Sequence, residues 1–175
     1  MTREHTQERE IEMSQKEKVP EMLDSLGIEY KMITHKAVCT IEEMDELGIF
    51  TDGLVCKNLF LRNANGKIHY LVCCSENKAV DLVKLRSELG CSRLSFGSDE
   101  RLQKHLSLSQ GAVSPFGVIN NEDHEVVVVL DRDLKAEKGL IGFHPNDNTA
   151  FVWLKHDDLV KYIKHFGNDI VYVNI

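Results

Sequence analysis

The spacing of apolar and polar positions along the chain predicts short strands interspersed with amphipathic helices. Residues 55–61 and 68–74 are strand-like, and the turn-forming sequence Asn-Ala-Asn-Gly at residues 63–66 predicts a β-hairpin between them. Residues 113–120 and 125–130 predict a second pair of strands, the latter buried on both faces because residues 126–130 are continuously apolar. Further strands are predicted at residues 28–34, 94–96, 140–144, 149–154 and 170–173.

Helices are predicted where apolar residues recur every three to four positions after a capping residue. Within residues 16–26 we expect the helix to begin only at Pro20, which is tolerated in a first turn, and to end at Gly27. Thr40, with Glu43 three residues later, forms a capping-box pattern for a second, short helix. Helices are also predicted at residues 81–89, 98–105 and 157–166.

These elements predict one α+β domain with a mixed, largely antiparallel sheet that is curled or barrel-like and flanked by helices. A chain of 175 residues is long enough for one sizeable core and too short for two. Residues 1–14 are polar and are predicted to be a lead-in, so the domain is expected to cover residues 15–175.

The balance of charge limits the classes of partner. The net charge of −7 and the pI near 5.6 argue against a protein that grips a long stretch of DNA or RNA. Basic residues concentrate between positions 57 and 104, which favours a positive surface in an otherwise acidic protein. No apolar stretch approaches the roughly 20 residues that span a bilayer, and no secretory signal is evident, so we expect a cytoplasmic protein without a membrane partner.

The cysteines and histidines lack the spacing of a metal site. The five cysteines include no C-x-x-C pair, and their odd number argues against a disulfide framework. His35 and His144 have no second ligand at the spacing of a zinc motif. No metal or other cofactor is therefore expected. A cysteine-based redox protein stays open as an alternative, and it requires an exposed thiol with a lowered pKa.

Three short segments carry the residues best suited to chemistry. Lys57 lies in the apolar sequence Val-Cys-Lys-Asn-Leu-Phe-Leu at residues 55–61, where partial desolvation makes a charge effective. Residues 111–117, Gly-Ala-Val-Ser-Pro-Phe-Gly, predict a glycine turn whose backbone N–H groups can stabilise an oxyanion. His144 follows a strand-like run in Gly-Phe-His-Pro-Asn at residues 142–146. Ser114 is not expected to be a nucleophile, because the G-x-S-x-G pattern is absent.

Together these segments resemble the YbaK/ProX-type trans-editing aminoacyl-tRNA deacylases, which are related to the editing domain inserted in bacterial prolyl-tRNA synthetases. The resemblance covers about residues 19–169, includes the GxxxP loop at residues 111–115, and implies the same kind of α+β fold. It implies that Lys57 is the catalytic residue and acts by electrostatics on the terminal nucleotide or the ester carbonyl. It also implies a substrate-binding set without a metal: His35, Asn58, Gly111, Ser114, Pro115 and His144.

The resemblance also implies a substrate. Asn58 directly after the lysine is similar to the alanine-specific branch, whereas the cysteine-specific branch more often has threonine there. The expected reaction is hydrolysis of mischarged Ala-tRNA(Pro) in trans, with the tRNA acceptor end and prolyl-tRNA synthetase as partners. Two further alternatives stay open: a cysteinyl-tRNA(Pro) deacylase, and a noncatalytic module that binds tRNA, a synthetase or an amino acid as a regulator.

Overall fold

The computed structural model of the chain describes residues 14–37, 41–48 and 52–175. Its α-helices are α1 (Gln15–Ser25), α2 (Ile41–Glu46), α3 (Leu82–Leu89), α4 (Asp99–Leu106), α5 (Arg132–Ala136) and α6 (His156–Phe166). Its strands are β1 (Lys31–Thr34), β2 (Gly53–Arg62), β3 (His69–Ser75), β4 (Ser95–Phe96), β5 (Val127–Asp131), β6 (Leu140–Phe143), β7 (Ala150–Leu154) and β8 (Ile170–Val173). Two 3-10 helices, Gln110–Ala112 and Pro115–Asn120, lie between α4 and β5.

Within these ranges the strands form one mixed sheet in the order β1-β7-β6-β2-β3-β5-β8, and β4 pairs with β2 outside this path. β2 pairs antiparallel with β3 and parallel with β6, while β5 pairs in parallel with both β3 and β8. Helices separate the members of each parallel pair along the chain, as a crossover connection requires. The predicted α+β domain with a mixed sheet is confirmed, and the sheet is open because its two edge strands, β1 and β8, do not pair with each other.

The predicted hairpin of β2 and β3 forms as the turn sequence indicated. Lys57 pairs with Cys74 in the antiparallel ladder. In the turn, Asn63 Oδ1 accepts hydrogen bonds from the N–H groups of Lys67 and Ile68, both at 3.1 Å. The asparagine side chain therefore closes the turn, which is the reason asparagine is frequent in such positions.

Helix α3 and strand β8 also lie where they were predicted. Asp81 caps α3, since its carboxylate accepts from the N–H groups of Val83 at 2.9 Å and Lys84 at 3.2 Å. Gly90 follows the helix with φ of 63°, in the left-handed region that glycine adopts without steric penalty. These signals act within a few residues, so the sequence alone is sufficient to predict the bounds of the helix.

The strand predicted at residues 113–120 is wrong, because Pro115–Asn120 is a 3-10 helix. Ser114 Oγ accepts a hydrogen bond from the Phe116 N–H at 3.1 Å, and Pro115 occupies the first position of the helix. A serine cap followed by proline favours a helical start, since proline has a helical φ and no N–H group to leave unpaired. Phe116 and Val118 are fully buried and Ile119 is partly buried, which explains why the pattern resembles a buried strand.

Helix α1 begins earlier than predicted. The expected start at Pro20 is wrong, because α1 runs from Gln15 and keeps Pro20 in its interior. The Ser14 N–H donates to the Glu17 carboxylate at 3.1 Å, and this pair defines the first turn ahead of the proline. The predicted cap Thr40 lies outside the described residues.

The sheet is buried on both faces. Adjacent β3 residues Leu71 and Val72 belong to different hydrophobic clusters, because successive side chains of a strand point to opposite faces. The larger cluster includes α1, α4, α6 and the 3-10 helix Pro115–Asn120, and the smaller one includes α3. A third cluster of Val55, Phe151 and Trp153 lies where β2, β6 and β7 meet.

Gly142 in β6 leaves no room for a side chain beside this third cluster. A Cβ atom there would lie 2.7 Å from the Trp153 ring and in still closer contact with Phe151. We expect Gly142→Ala to lower the free energy of unfolding by about 1–3 kcal/mol, because the rings must shift in a packed cluster. Urea denaturation followed by tryptophan fluorescence measures this change.

Gly111→Ala is the matched control, because the nearest atom to a Cβ atom there is Asn148 Nδ2 at 4.0 Å. The free energy of unfolding of this variant is expected to lie within about 0.5 kcal/mol of the wild-type value. If Gly142→Ala were as stable as Gly111→Ala, Gly142 would not be packed closely against the two rings.

Candidate active site

A cavity of about 240 Å³ collects residues from all three of the segments that the sequence singled out. Lys57 and Asn58 come from β2, Gly111 comes from the 3-10 helix Gln110–Ala112, and His144 follows β6. The other lining residues are Val55, Cys56, Glu76, Gln110, Val113 and Phe151.

The register of β2 and β6 explains why a lysine and a histidine so far apart in the chain share one cavity. Val55 pairs in parallel with Gly142. Lys57 and His144 each follow two residues later, and residues two apart in an extended chain point to the same side. The parallel pairing therefore carries both side chains to the same end of the β2–β6 contact.

Lys57 is held by the turn that follows β3. Its Nζ donates a hydrogen bond to the carbonyl oxygen of Lys78. The side chain is half-buried, so its charge is partly desolvated, as the apolar sequence around it indicated. An ammonium group has three donors and the carbonyl uses one, so Lys57 keeps donors for a ligand.

Lys78 is itself anchored by two carboxylates. Its Nζ lies 2.5 Å from Asp131 Oδ2 and 2.5 Å from Asp133 Oδ2, and the Asp131 side chain is only 1% exposed. Burial lowers the pKa of Lys78, but the two carboxylates outweigh this effect and hold the pKa above its ordinary value. The turn that carries the acceptor for Lys57 is therefore tied to the end of β5.

Asn58 links β2 to the glycine turn. Its Nδ2 donates to the carbonyl oxygen of Val113 at 3.0 Å, while its Oδ1 is buried without a hydrogen-bond partner among the described residues. Strand alternation predicts that Asn58 and Lys57 point to opposite faces, yet both line the cavity. The β2–β6 pairing covers residues 53–55 only, so the cavity can reach both faces of β2 beyond that point.

The surroundings of His144 favour the neutral form of its ring. Its Nδ1 lies 2.8 Å from the Ala150 carbonyl oxygen, which only accepts, so Nδ1 carries the proton and Nε2 is the acceptor. Burial lowers the pKa of His144, and nearby His35 lowers it further; the hydrogen bond to Ala150 and the charge of Asp147 oppose this shift. The Phe151 ring packs edge-on against the imidazole, with 5.3 Å between ring centroids.

His35 lies next to His144 and is not among the residues that line the cavity. The two ring centroids are 6.1 Å apart, and the His35 N–H donates to the Thr149 carbonyl oxygen at 2.8 Å, which extends the β1–β7 pairing. His35 Nδ1 lies 2.6 Å from the Lys36 carbonyl oxygen, and Nε2 is buried with no partner in the described ranges. The structure therefore places His35 as a neighbour of the cavity histidine.

The glycine turn divides its residues between the cavity and the core. Gly111 lines the cavity and is exposed, whereas Ser114 and Pro115 are buried and lie outside the lining. Ser114 uses its hydroxyl to cap the 3-10 helix Pro115–Asn120, as described above. Ser114 and Pro115 are therefore buried in the core beside the turn, while the backbone of Gly111 lies at the surface of the cavity.

Glu76 is the cavity residue with ionisable chemistry that the sequence motifs did not include. It directly follows β3, and its N–H donates to the Val55 carbonyl oxygen at 3.0 Å. Burial raises the pKa of Glu76, and the negative charge of Asp45 on α2 adds to this. The signal that could have identified it is its position at the end of β3, opposite the segment that contains Lys57.

The cavity offers charges and hydrogen bonds in place of a nucleophile. Among the described residues, the lining contains no Ser, Thr or Tyr hydroxyl, and its one thiol is that of Cys56, whose pKa burial raises well above its ordinary value. Burial likewise raises the pKa of Cys73 and Cys74. Thiols in this state are unreactive, which weighs against the redox alternative. This arrangement suits a site that holds an already activated ester in position for attack by water.

A second cavity, of about 210 Å³, lies along one face of α4. Its lining carries two cationic side chains against one carboxylate; the lining residues are Ser98, Glu100, Arg101, Lys104 and His105. Behind it, Arg101 Nη1 donates to His69 Nε2 at 3.1 Å. Burial lowers the pKa of His69 to about 4, and the neighbouring His105 and Arg101 contribute to the shift.

No helix in the described part of the chain is both long and apolar enough to cross a bilayer. Within the same residues, no group of three or more His, Cys, Asp or Glu side chains is placed to hold a metal ion. The cysteines that the structure describes are free thiols: Cys56, Cys73, Cys74 and Cys91.

Residues 35–162 match the family model described as the aminoacyl-tRNA editing domain, a range that includes every residue lining the first cavity. The prolyl-tRNA editing protein ProX of Acetoanaerobium sticklandii is 46% identical over 158 residues, which cover 90% of this chain and 96% of that protein. Prolyl-tRNA synthetase associated domain-containing protein 1 of Danio rerio is 31% identical over 150 residues, which cover 85% of this chain and 81% of that protein.

Solved structures agree on the fold. One described as a candidate trans-editing enzyme for prolyl-tRNA synthetase has a TM-score of 0.71 and 18% identity, and covers 93% of this chain and 98% of its own. The structure of a hypothetical protein has a TM-score of 0.70 and 19% identity, with 90% of this chain and 99% of that one covered. At these identities the likeness concerns the α+β architecture alone.

His144 is expected to be neutral at about pH 7 with its proton on Nδ1, because burial disfavours the charged ring and the Ala150 carbonyl selects the tautomer. NMR of the ring nitrogens between about pH 5 and pH 8 should show the Nδ1–H tautomer and a titration midpoint below the unperturbed value of about 6.5. His144→Gln identifies the signal. A midpoint above the unperturbed value, or an Nε2–H tautomer, would refute this description of the ring.

Proposed function

Because the chain belongs to the aminoacyl-tRNA editing domain family, we propose that it hydrolyses mischarged Ala-tRNA(Pro) in trans, with residues 15–175 as the editing domain. The observation that carries the proposal is the assembly of Lys57, Asn58, Gly111 and His144 around one small cavity. Membership of this family implies aminoacyl-tRNA deacylase activity, and the proposal adds the identity of the amino acid and of the tRNA. The relative from Acetoanaerobium sticklandii is named a prolyl-tRNA editing protein, which supports the choice of tRNA.

The size of the cavity supports a small aminoacyl group. At about 240 Å³ it lies below the range of about 300–1,000 Å³ that is usual for drug-sized ligands. A synthetase that activates proline cannot strongly reject a smaller amino acid, since a missing methylene changes binding by only about 1–3 kcal/mol. A second site that admits alanine then removes the error after it has formed.

In the proposed reaction, water adds to the carbonyl carbon of the alanyl ester and the bond to the terminal ribose oxygen breaks. Lys57 stabilises the negative charge that develops on the carbonyl oxygen or holds the terminal nucleotide, and the backbone at Gly111 supplies N–H donors of the oxyanion type. Asn58 orients the 3′ end, and His144 shapes the small pocket that receives the aminoacyl group. The departing ribose oxygen takes up a proton, so the products are alanine and free tRNA(Pro).

Hydrolysis of alanyl-, cysteinyl- and prolyl-tRNA(Pro) by the purified chain tests the proposal directly. We expect alanine to be released fastest, and we expect Lys57→Ala to lower kcat/KM by at least about 100-fold, because it removes a charge that acts on the transition state. Lys164→Ala, which removes an exposed lysine on α6, is the matched control and should retain wild-type activity.

The other outcomes separate the alternatives. If cysteine were released faster than alanine, cysteinyl-tRNA(Pro) would be the substrate instead of alanyl-tRNA(Pro). Absence of hydrolysis with all three substrates, in a protein that still binds the tRNA end, would favour the noncatalytic module. Full activity of Lys57→Ala would remove the lysine from the mechanism.

The basic face of α4 supports contact with the backbone of the tRNA acceptor end. Arg101, Lys104 and His105 recur at helical spacing of three and four residues and therefore share one face of α4. Arg62 at the end of β2 adds charge close to His69 on the same side. Five residues of strand, or about 17 Å, separate Lys57 from Arg62, so a few nucleotides could connect the two regions.

Lys104→Gln is expected to weaken binding of uncharged tRNA(Pro) and to reduce the slope of log K against log salt by about 1, since one phosphate contact is lost. Lys164→Gln on α6 serves as the control. Hydrolysis of a short aminoacylated fragment limited to the terminal nucleotides should be unaffected by either change. An unaltered salt slope in Lys104→Gln would remove α4 from the tRNA contact.

A further inference from the structure

Glu76 lines the first cavity from a backbone position that hydrogen bonds fix. Its backbone N–H bonds to the Val55 carbonyl oxygen, which continues the β2–β3 ladder one residue beyond Ser75. The turn behind it is closed by the hydrogen bond from the Lys78 N–H to the Ser75 carbonyl oxygen at 3.1 Å. Because the Lys78 side chain is anchored on Asp131, the backbone that carries Glu76 is held in place on both sides.

The carboxylate of Glu76 lacks a cation in the described part of the chain. None of the ion pairs among these residues includes it. The nearby lysine, Lys57, is directed to the Lys78 carbonyl oxygen instead. The charge that acts most on Glu76 is that of Asp45, which is also negative, and together with burial it disfavours the ionised carboxylate. A cation bound in the cavity would reverse this effect, because opposite charges favour the ionised form.

An aminoacyl ester supplies such a cation. Its α-amino group, with an unperturbed pKa of about 7.7–8.0, is protonated in large part at neutral pH. Of the groups that line the cavity, Lys57 repels an ammonium, and Asn58 and the neutral His144 offer uncharged acceptors. Glu76 is the lining residue that carries a negative charge.

We propose that Glu76 forms a subsite for the free α-ammonium group of the aminoacyl ester. This inference rests on the proposed function and assigns a selectivity to the same cavity. The enzyme distinguishes esters of free amino acids from esters whose amino group is acylated, such as N-acylaminoacyl and peptidyl esters. Both kinds contain the same ester bond, and only the first can pair with Glu76. The subsite therefore directs hydrolysis toward aminoacyl-tRNA and away from peptidyl-tRNA.

The selectivity is measured by comparing alanyl-tRNA(Pro) with N-acetylalanyl-tRNA(Pro). The wild type is expected to hydrolyse the free alanyl ester with a kcat/KM at least about tenfold higher, the usual effect of a hydrogen bond to a charged group. Glu76→Gln should lower kcat/KM for the alanyl ester by about that factor and leave the rate for the acetylated ester unchanged. The ratio of the two rates should therefore approach one.

The ratio separates a lost subsite from a damaged fold, because damage lowers both rates together and keeps their ratio. Glu88→Gln, which changes an exposed glutamate on α3, is the matched control and should keep both rates and the ratio. A wild-type ratio retained in Glu76→Gln would overturn the subsite. Equal hydrolysis of the two esters by the wild type would overturn it as well.

Binding of a non-hydrolysable ligand distinguishes failure of the subsite from failure of the proposed function. The probes are 3′-alanylamino-3′-deoxyadenosine and its N-acetyl derivative, with calorimetry as the readout. The subsite predicts that the free amine binds at least about tenfold more tightly to the wild type, and that Glu76→Gln removes the difference. Amine-dependent binding without turnover would support the subsite and refute the hydrolase. Equal binding of the two probes by the wild type would refute the subsite whatever the turnover.

Discussion

The hydrogen bond from the Lys57 ammonium to the Lys78 carbonyl oxygen is the contact on which the rest of the site depends. It joins the middle of β2 to the turn after β3, and the ion pair of Lys78 with Asp131 fixes that turn. A carboxylate that is only 1% exposed, as Asp131 is, requires such a partner, because an unpaired buried charge is strongly destabilising. The stability of the fold and the location of the cavity's positive charge are therefore linked through one short series of contacts.

The same turn keeps opposite charges apart in the cavity. Lys57 enters from β2 and Glu76 from the residue after β3, yet the lysine bonds to a backbone carbonyl and forms no ion pair with the glutamate. Burial lowers the pKa of His144 and so favours the uncharged ring, while the hydrogen bond from Nδ1 to the Ala150 carbonyl oxygen selects the tautomer. Each polar group thus retains capacity for a ligand. Groups that are held in place before the substrate arrives need little reorganisation during reaction, which suits hydrolysis of an activated ester without a protein nucleophile.

Local signals in the sequence were sufficient for many of the elements. The Asn63 turn and the Asp81 cap act within a few residues, so the β2–β3 hairpin and α3 were predictable. The errors arose where two signals competed. The pair of Ser14 and Glu17 starts α1 ahead of Pro20. The apolar residues after Ser114 are buried in a 3-10 helix, and burial on all sides produces the same apolar run in a short helix as in a strand.

The sequence by itself determined the α+β class, because capping, turn formation and hydrophobic period are local properties, and it singled out three segments as candidates for the site. Only the tertiary structure decided which groups meet. Parallel pairing of Val55 with Gly142 brings Lys57 to His144, and this register depends on long-range packing that no short segment encodes. For the same reason Glu76, which belongs to no motif, lines the cavity, while the Ser114 and Pro115 side chains, which do belong to one, turn into the core.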